Sequence, residues 1–504
     1  MARTPIGYNS LIAEYDLPAR ELLAPCYIDT AAAQRKEFIQ GHQTIRLFES
    51  IYLKGQEKTT LATNLEFALR YEVLNLEVLS LLFARQGKEE IEAWLTAIPL
   101  GQYARKAACL YEFLTERKIN APAVPPKTRY VPLLDPENYI TGPEIRNARF
   151  GISMNVLGNV NFCPTIRRTT FIRELQDKNL REKTAKTLSK YDKKLLDRAA
   201  AFLYLKETHS SFSIEKEKPS TQKAERFAQL LAAASSVTDV TKEELVRLQN
   251  AVIDGRFAEP WFRRQQNWVG KEIRHYKKVD FLPPRPEDVE SLLDGLLTFA
   301  NRYGDKDAKL SDDVAIAASV SFGFVFIHPF MDGNGRLHRF LIHQMLSRRE
   351  FTPKGIILPV SAVMLANLDE YIEALEDFSK ALMPLTRYNP DAPEAPATGN
   401  DAVYYKYFDA TRQTEFLYSA LERTVTHDLE AEIKFLIHYD AAYTKLNDEF
   451  DWPKGSLSLF IRLLSEQNGR LSTNKRASHF DFLTDAEVVN FQEVFAQAFE
   501  LEPG

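Results

Sequence analysis

The stretch HPFMDGNGRLHR at residues 328–339 combines side chains whose types and spacing suit phosphate chemistry. His328 titrates near neutral pH and can accept a proton from a hydroxyl group. Asp332 offers a hard oxygen ligand of the kind that Mg²⁺ uses together with substrate phosphates. Arg336 and Arg339 are three residues apart, so on a helix they share a face and can bind phosphate oxygens together. The stretch therefore predicts transfer of a phosphate-containing group beside a general base.

A helix–loop–helix arrangement is predicted to position these side chains. The apolar run VAIAASVSFGFVFI precedes them, and Ser311 can cap a helix whose first turn carries Asp312 and Asp313. That helix must end near His328, because the residue before a proline is disfavoured in the α conformation. The following sequence RLHRFLIHQMLSRRE has a helical apolar pattern again, so the loop is expected to end at a helix N-terminus.

The GNG sequence in the loop can supply backbone N–H groups to an anion. Glycine adopts positive φ without penalty, so Gly333, Asn334 and Gly335 can form a concave nest, and the helix that follows adds its positive end. Pro329 and Phe330 are expected to support the turn, with the phenyl ring packed inward. Alone, a GNG turn, a histidine or a pair of helical arginines is usually structural, but their joint presence in one short segment favours a phosphate site.

Composition indicates an ordinary globular protein of several structural units. The chain has 504 residues, 45% hydrophobic and 26% charged, with a formal net charge of −5. This charge argues against a general electrostatic affinity for nucleic acid or anionic membranes, and the basic segment 469–480 is interpreted as a solvated face. Three widely spaced cysteines and no recognisable signal peptide or membrane span predict a cytoplasmic protein.

The fold class predicted from hydrophobic periodicity is mainly α with a few short strands. Proline, glycine and asparagine interrupt the helical pattern in two places. We divide the chain into an N-terminal helical region (1–120), a connector of loops and short strands (121–165), a helical core (166–384), a Pro/Ala linker (385–401) and a C-terminal helical region (402–504).

The segment at 328–339 resembles the signature of the Fic family, H-P-F-x-[D/E]-G-N-G-R-x-x-R, and matches it at every fixed position. Upstream, RRQQNWVG resembles a second family stretch, R-x-x-Q-N-W-I-G, which precedes a short β-hairpin. QNWVG alone is also compatible with a plain turn beside a buried tryptophan. The resemblance implies a Fic-type helical core with a hairpin flap near 270–281, on which a target protein docks its backbone by strand addition.

The activity that this resemblance implies is adenylylation, the transfer of AMP from ATP to a Ser, Thr or Tyr hydroxyl of a protein with release of pyrophosphate. His328 would then be the general base and Asp332 the Mg²⁺ ligand. Asn334 and the loop amides would hold the α-phosphate. Arg336 and Arg339 would hold the β- and γ-phosphates.

Gly335 separates two branches of the family, since the Doc-like branch, which phosphorylates its target, typically has lysine at this position. Glycine therefore favours AMP transfer. The partners implied are ATP, Mg²⁺ and a target protein docked on the flap, the enzyme itself included. The sequence leaves the oligomeric state open.

Many family members carry an inhibitory helix with the pattern [S/T]-x-x-x-E-[G/N]. The segment SSFSIE supplies Ser211 and Glu215 at this spacing, on a helix expected near 203–217, although Lys216 departs from the pattern. The resemblance implies that Glu215 pairs with Arg339 and blocks productive γ-phosphate binding, whereas an exposed helical acid would have little effect. The same spacing also occurs at Ser213–Glu217 and Thr411–Glu415.

Two alternative functions remain open at the level of the sequence. The same site could remove AMP from a modified protein, with Glu215 positioning water, or transfer another phosphate-containing group. The chain could also be a non-catalytic nucleotide-binding regulator. The intact His328 argues against the regulator, because a protein that only binds nucleotide needs no base at this position.

Overall fold

The structure is a computed structural model that describes residues 3–31, 34–53, 59–120, 123–125, 127–234, 239–274, 276–304, 312–393 and 395–501. It is mostly helical with three small sheets in the described parts, which confirms the predicted fold class. Among the described residues, no helix has the length and apolar character that crossing a bilayer requires.

The N-terminal part combines a small sheet with a helical bundle. Its elements are β1 (Thr4–Pro5), α1 (Tyr8–Glu14), β2 (Cys26–Ile28), β3 (Lys36–Gln40), β4 (Gln43–Phe48), α2 (Leu61–Tyr71), α3 (Leu76–Arg85), α4 (Lys88–Ala97) and α5 (Gln102–Thr115). The strands lie in the order β1-β2-β4-β3, with β2 and β4 parallel. The helical prediction was wrong for this sheet, because short β-branched runs such as QTIRLF carry a weak signal that the long helices around them dominate.

The connector contains β5 (Val131–Pro132), β6 (Ile145–Asn147) and β7 (Ile152–Met154), in the order β5-β7-β6. Its side chains are shared between two hydrophobic cores. Leu133 and Phe150 pack with the N-terminal helices, whereas Ile140 and Leu157 pack with the central helices. The domain boundaries taken from composition therefore stay predictions.

The central part is a helical bundle with one β-hairpin. Its elements are α6 (Thr170–Asp177), α7 (Leu180–Leu188), α8 (Lys193–Ile214), α9 (Thr221–Ala233), α10 (Lys242–Val252), β8 (Val269–Ile273), β9 (Tyr276–Phe281), α11 (Val289–Gly304), α12 (Asp313–Ile327), α13 (Asn334–Arg348), α14 (Val360–Ala366), α15 (Leu368–Leu382) and α16 (Ala402–Lys406). Antiparallel β8 and β9 form the hairpin that the sequence predicts near 270–281.

Helix α12 is the centre of this bundle because its sequence is apolar on every side. Each residue from Asp313 to Ile327 is buried, as expected of a helix without a polar face. Its N-cap is Asp312, whose side chain accepts a hydrogen bond from the Ala315 N–H at 2.8 Å. The predicted cap, Ser311, lies outside the described residues, and the cap that the structure shows is one residue later.

The C-terminal part extends from the bundle on a long helical segment. It comprises α17 (Thr411–Arg423), a π-helical turn (Thr424–Asp428), α18 (Leu429–Glu449), α19 (Ser456–Glu466), α20 (Thr473–His479) and α21 (Asp485–Ala498). Helix α17 packs on α12, whereas the last three helices and the end of α18 enclose a separate hydrophobic core.

The Pro/Ala segment 385–401 is folded against the hairpin and does not run free between two parts. Arg387 and Thr398 exchange backbone hydrogen bonds of 2.9 and 3.0 Å. Lys277 of β9 lies 2.8 Å from the Asp391 carboxylate. Glu394 lies outside the described residues. The segment therefore contacts strand β9 of the hairpin, which its composition did not indicate.

Candidate functional site

The candidate site begins at His328, where α12 ends. His328 is the C-cap residue, with φ 51° and ψ 59°, and its N–H donates to the Phe324 carbonyl at 2.9 Å. This left-handed conformation is uncommon for a residue with a side chain, and it lies outside the right-handed α region that Pro329 disfavours for the residue before it. The helix therefore ends where the sequence predicts.

The imidazole of His328 is held in a form that can accept a proton. Its Nδ1 lies 3.1 Å from the Val325 carbonyl oxygen. Because a carbonyl oxygen only accepts, Nδ1 carries the proton and Nε2 is the basic nitrogen. Burial, opposed by the Val325 contact and assisted by the charge of Arg263, lowers the pKa of His328 to about 4. At neutral pH the ring is uncharged.

The loop after His328 is closed by the side chain of Asn334. Its Oδ1 accepts from the Phe330 N–H at 3.1 Å, and its Nδ2 donates to the Phe330 carbonyl at 2.7 Å. Phe330 is fully buried, with its ring centroid 5.3 Å from that of Phe262. The side chain of Asn334 is thus engaged by the loop itself, and the backbone of the turn is the part that can meet an anion.

The turn leads into an uncapped N-terminus of α13. Gly333 is the N-cap residue with φ 89°, and no side chain of the described residues caps the helix. The first N–H groups of an α-helix have no partner within the helix, and the macrodipole makes this end positive. The start of α13, at 334–336, is therefore suited to bind phosphate.

Arg336 is buried between two acids. Its side chain is 5% exposed, Nη2 lies 2.7 Å from Asp332 Oδ1, and Nη1 lies 2.7 Å from Glu217 Oε2. Its Nε is buried without a hydrogen-bond partner among the described residues. Asp332 is more than half exposed and also accepts from the Gly333 N–H at 2.6 Å. One wall of the site thus carries an arginine and an accessible carboxylate side by side.

Arg339 is bound by the end of helix α8. Its Nε donates to Ser211 Oγ and its Nη2 to the Ser211 carbonyl, both at 2.8 Å, and Nη2 also lies 2.8 Å from Glu215 Oε1. Arg339 is 1% exposed, whereas the side chain of Glu215 is 39% exposed. The structure thus brings Ser211 and Glu215 to the second motif arginine across a sequence separation of 124 residues between Glu215 and Arg339.

The Glu215 carboxylate also lies against the first turn of α13. A Cβ atom built on Gly335 would be 2.1 Å from Glu215 Oε1, so the carboxylate occupies the space that a side chain at 335 would need. A negative group therefore sits where the helix N-terminus and Arg339 both favour an anion.

The turn that presents Glu215 is shaped by a left-handed residue. Helix α8 ends at Ile214, earlier than the segment predicted near 203–217, and Lys216 has φ 56°. The Lys216 N–H donates to Ser213 O at 2.9 Å and the Glu217 N–H to Phe212 O at 3.0 Å, which is the bonding of a Schellman motif. Glycine or asparagine at 216 in the family pattern fits this geometry, since both tolerate positive φ.

The two other segments with the inhibitory spacing lie in different places. Glu217 contacts Arg336, as described above. Glu415 lies on α17, where it accepts a hydrogen bond from Thr169 Oγ1 at 2.6 Å. Only the first of them reaches the site.

The hairpin ends beside the imidazole. The ring centroids of Phe281, the last residue of β9, and His328 are 6.5 Å apart. Every residue of β8 is exposed, and among the described strands β8 pairs only with β9. A free strand edge therefore lies next to the proposed base.

Sequence reasoning missed the residues that hold the motif loop from outside. Arg263 is buried, and its guanidinium donates to the carbonyls of His328 (2.9 Å), Gln265 (3.1 Å) and Pro284 (2.6 Å). Asn267 donates to the Phe330 carbonyl at 2.8 Å. Both lie in RRQQNWVG, so the family resemblance was the available signal. Arg263 ties both ends of the hairpin to the carbonyl of His328.

Glu259 was also missed, and no motif marks it. Its Oε1 accepts from the Met331 N–H at 2.9 Å and from Gln249 Nε2 at 3.2 Å. Burial, together with the negative charge of Asp332, raises the pKa of Glu259 against the effect of its backbone hydrogen bonds. It supports the loop from the side of α10.

A metal would depend on Asp332 and on a bound substrate. Within the described parts of the chain, no group of three or more His, Cys, Asp or Glu side chains could hold a metal ion alone. One accessible carboxylate beside a phosphate site matches the way Mg²⁺ binds, through one or two carboxylates plus substrate phosphates.

Comparison with known proteins places the motif in a family. Residues 239–346 match the model of the Fic/DOC family. The chain is 38% identical over 74 residues to a protein adenylyltransferase Fic of Nematostella vectensis, which covers 15% of this chain and 17% of the relative. It is 36% identical over 92 residues to a protein adenylyltransferase Fic of Aedes aegypti, covering 18% and 16%. The chain thus spans about a sixth of the length of these curated relatives.

A solved structure of a Fic family protein from Desulfovibrio desulfuricans aligns with a TM-score of 0.38 and 17% sequence identity. The alignment covers 68% of this chain and 87% of that one.

Proposed function

Residues 239–346 form a domain of the Fic/DOC family, and on this premise we propose that the chain is a protein adenylyltransferase. The reaction transfers AMP from ATP to a Ser, Thr or Tyr hydroxyl of a protein and releases pyrophosphate. The names of the curated relatives and the geometry around 328–339 support the proposal.

The observation that carries the proposal is the environment of Arg336 and Arg339. Both guanidinium groups are almost fully buried beside the uncapped start of α13, and each has one buried nitrogen without a hydrogen-bond partner among the described residues. Buried cationic groups need anionic partners, and planar guanidinium groups suit phosphate oxygens. A triphosphate lying along this wall would satisfy the arginines and the helix N-terminus together.

His328 is the proposed general base. Nε2 takes the proton of the target hydroxyl while the hydroxyl oxygen forms a bond to the α-phosphorus, and the bond from that phosphorus to the pyrophosphate oxygen breaks. The pKa of about 4 keeps the imidazole unprotonated before the reaction. Arg263 and Asn267 fix the backbone of the loop that carries the imidazole. The remaining catalytic effect is charge neutralisation by the arginines and the turn amides.

Asp332 is the proposed ligand of Mg²⁺. When bound, Mg²⁺ neutralises charge on the phosphates. The ion pair between Asp332 Oδ1 and Arg336 Nη2 keeps this carboxylate beside the proposed phosphate-binding residues, Arg336 and the start of α13.

Glu215 is the proposed inhibitory residue. Its carboxylate lies on Arg339 and against Gly335, the two groups that a phosphate would contact. ATP must displace a like-charged group to bind productively, so nucleotide binding and the Glu215–Arg339 contact oppose each other. Ser211 accepts hydrogen bonds from Arg339 through its hydroxyl and carbonyl oxygens on the buried side of the guanidinium.

The target protein is proposed to dock on the hairpin. Strand β8 has a free edge, and the end of β9 lies beside His328. Strand addition at β8 would carry a hydroxyl side chain along the hairpin towards the imidazole.

Labelled ATP tests the proposal. The Glu215→Gly chain is incubated with Mg²⁺ and ATP labelled at either the α- or the γ-phosphate, and protein-bound label is measured. Adenylylation predicts label from the α-phosphate only, and its loss with His328→Ala. Label from the γ-phosphate would identify a kinase, and retained nucleotide binding without any transfer would identify a regulator.

A further inference from the structure

Two acids, and not one, reach the motif arginines from the end of α8. Glu215 lies on Arg339, and Glu217 Oε2 lies 2.7 Å from Arg336 Nη1. The side chain of Arg336 is 5% exposed and that of Glu217 is 36% exposed, so the pair has the same one-sided burial as Glu215 with Arg339.

The Schellman turn explains why both carboxylates arrive together. Glu215 is the C-cap of α8 and Glu217 lies two positions later, with the left-handed Lys216 between them. The Glu217 N–H is fixed to the Phe212 carbonyl at 3.0 Å, and the Phe212 ring lies 5.4 Å from the guanidinium carbon of Arg336. The turn and the ring therefore set the position of Glu217 relative to Arg336.

We propose that Glu217 is a second inhibitory carboxylate, which competes with the nucleotide for Arg336. The inference rests on the proposed function, because it assumes that Arg336 binds a phosphate of ATP. Arg336 has two other acceptors at its terminal nitrogens, Asp332 Oδ1 at 2.7 Å and the Val252 carbonyl at 3.2 Å. When Glu217 is bound as well, the positive charge of Arg336 faces two carboxylates, those of Asp332 and Glu217, and Arg336 attracts an incoming phosphate only weakly.

Lys223 keeps this contact weaker than a fully buried pair. Its ammonium group binds Glu217 Oε1, the oxygen that Arg336 does not use. The carboxylate can therefore swing away on Lys223 without being left unpaired, and it can return when the nucleotide leaves. Glu217 is therefore a reversible competitor for Arg336, which agrees with the partial exposure of its side chain.

Binding of three nucleotides tests the inference. Dissociation constants for AMP, ADP and ATP with Mg²⁺ are measured by calorimetry on the full chain carrying His328→Ala, which prevents turnover. Glu217→Gln is compared with Glu244→Gln, a matched control whose carboxylate pairs with Arg247 on the neighbouring helix α10. Thermal melting verifies that both variants fold, and Glu217→Ala repeats the measurement without an amide that could still accept from Arg336.

We expect Glu217→Gln to lower the dissociation constants of ADP and ATP by about fivefold, the effect of one partly exposed charge-assisted contact. The dissociation constant of AMP should be the same with and without Glu217→Gln, because AMP has no outer phosphate to bind Arg336. Glu244→Gln should change none of the three dissociation constants, because Glu244 does not contact Arg336. Unchanged or weaker binding of ADP and ATP would overturn the inference, since Glu217 would then only position the arginine.

The same measurement on Glu215→Gln distinguishes failure of the inference about Glu217 from failure of the proposed function. If Glu215→Gln tightens ATP binding and Glu217→Gln does not, the second carboxylate alone is refuted. If no variant binds ATP, the proposed function fails and the inference fails with it.

Discussion

Replacing the Glu215 carboxylate by an amide should raise the proposed AMP-transfer activity. Glu215→Gln keeps the size of the side chain and removes its charge from the neighbourhood of Arg339 and Gly335. Nucleotide then has to displace a neutral group, so ATP binding and AMP transfer should both increase.

The size of this effect follows from the exposure of the two partners. Nη2 of Arg339 and Oε1 of Glu215 are 2.8 Å apart, with exposures of 1% and 39%. A charge-assisted hydrogen bond contributes about 1.5–3 kcal/mol, and an exposed ion pair about 0.2–1 kcal/mol. Because one partner is buried and the other is partly exposed, this contact should contribute an intermediate free energy of about 1–2 kcal/mol. Its loss corresponds to a gain of about five- to thirtyfold in kcat/KM for ATP.

Initial rates of label transfer from α-labelled ATP over a range of ATP concentrations measure this gain as kcat/KM. Glu415→Gln is the matched control, because Thr411–Glu415 has the same spacing while Glu415 binds Thr169 on another face of the protein. An equal rate in Glu215→Gln and the unmodified chain, or an equal gain in the control, would refute the reasoning.

Three further outcomes follow from the structure. In the Glu215→Gly chain, kcat/KM should stay level through neutral pH and fall only as the pH approaches about 4, the pKa of His328, because a protonated imidazole cannot act as a base; a midpoint near 6.5 would contradict this. Lys216→Gly should raise the free energy of unfolding by about 0.5–1 kcal/mol in thermal melts because it relieves the left-handed φ of 56°, while Lys218→Gly, outside that conformation, should not stabilise. Burial raises the pKa of Glu72 to about 7 from 4.5. The stability that this raised pKa contributes is therefore fully present below pH 4.5 and is lost as the pH rises through 7. The change in the free energy of unfolding caused by Glu72→Gln, measured with denaturant, should therefore be about 2–3 kcal/mol more favourable at pH 8 than at pH 4, and an equal change at both pH values would contradict this.

The sequence was most informative where local chemistry and steric rules act directly. The match of residues 239–346 to the Fic/DOC family and the mainly helical fold were predicted from it and are confirmed. Pro329 correctly predicted where α12 ends, because its steric effect acts on the neighbouring residue alone. The roles assigned to His328, Asp332 and the arginines stay predictions.

Contacts between distant segments could not be read from the sequence alone. Proximity of Glu215 to Arg339 depends on the packing of α8 against α13, and only the family pattern suggested it. Glu217 shared the inhibitory spacing, yet its contact with Arg336 follows from the bonding of the Schellman turn, which spacing does not encode. Arg263 lies in the RRQQNWVG stretch, but its role was not recognised, because its partners are backbone carbonyls that the sequence does not identify.

A crystal structure of the Glu215→Gly chain with Mg²⁺ and a non-hydrolysable ATP analogue tests the central claim most directly. We expect the α-phosphate at the start of α13, the outer phosphates on Arg336 and Arg339, and His328 Nε2 facing the α-phosphorus from the side of the hairpin. A nucleotide bound away from this turn, or an imidazole that does not face the phosphorus, would contradict the claim.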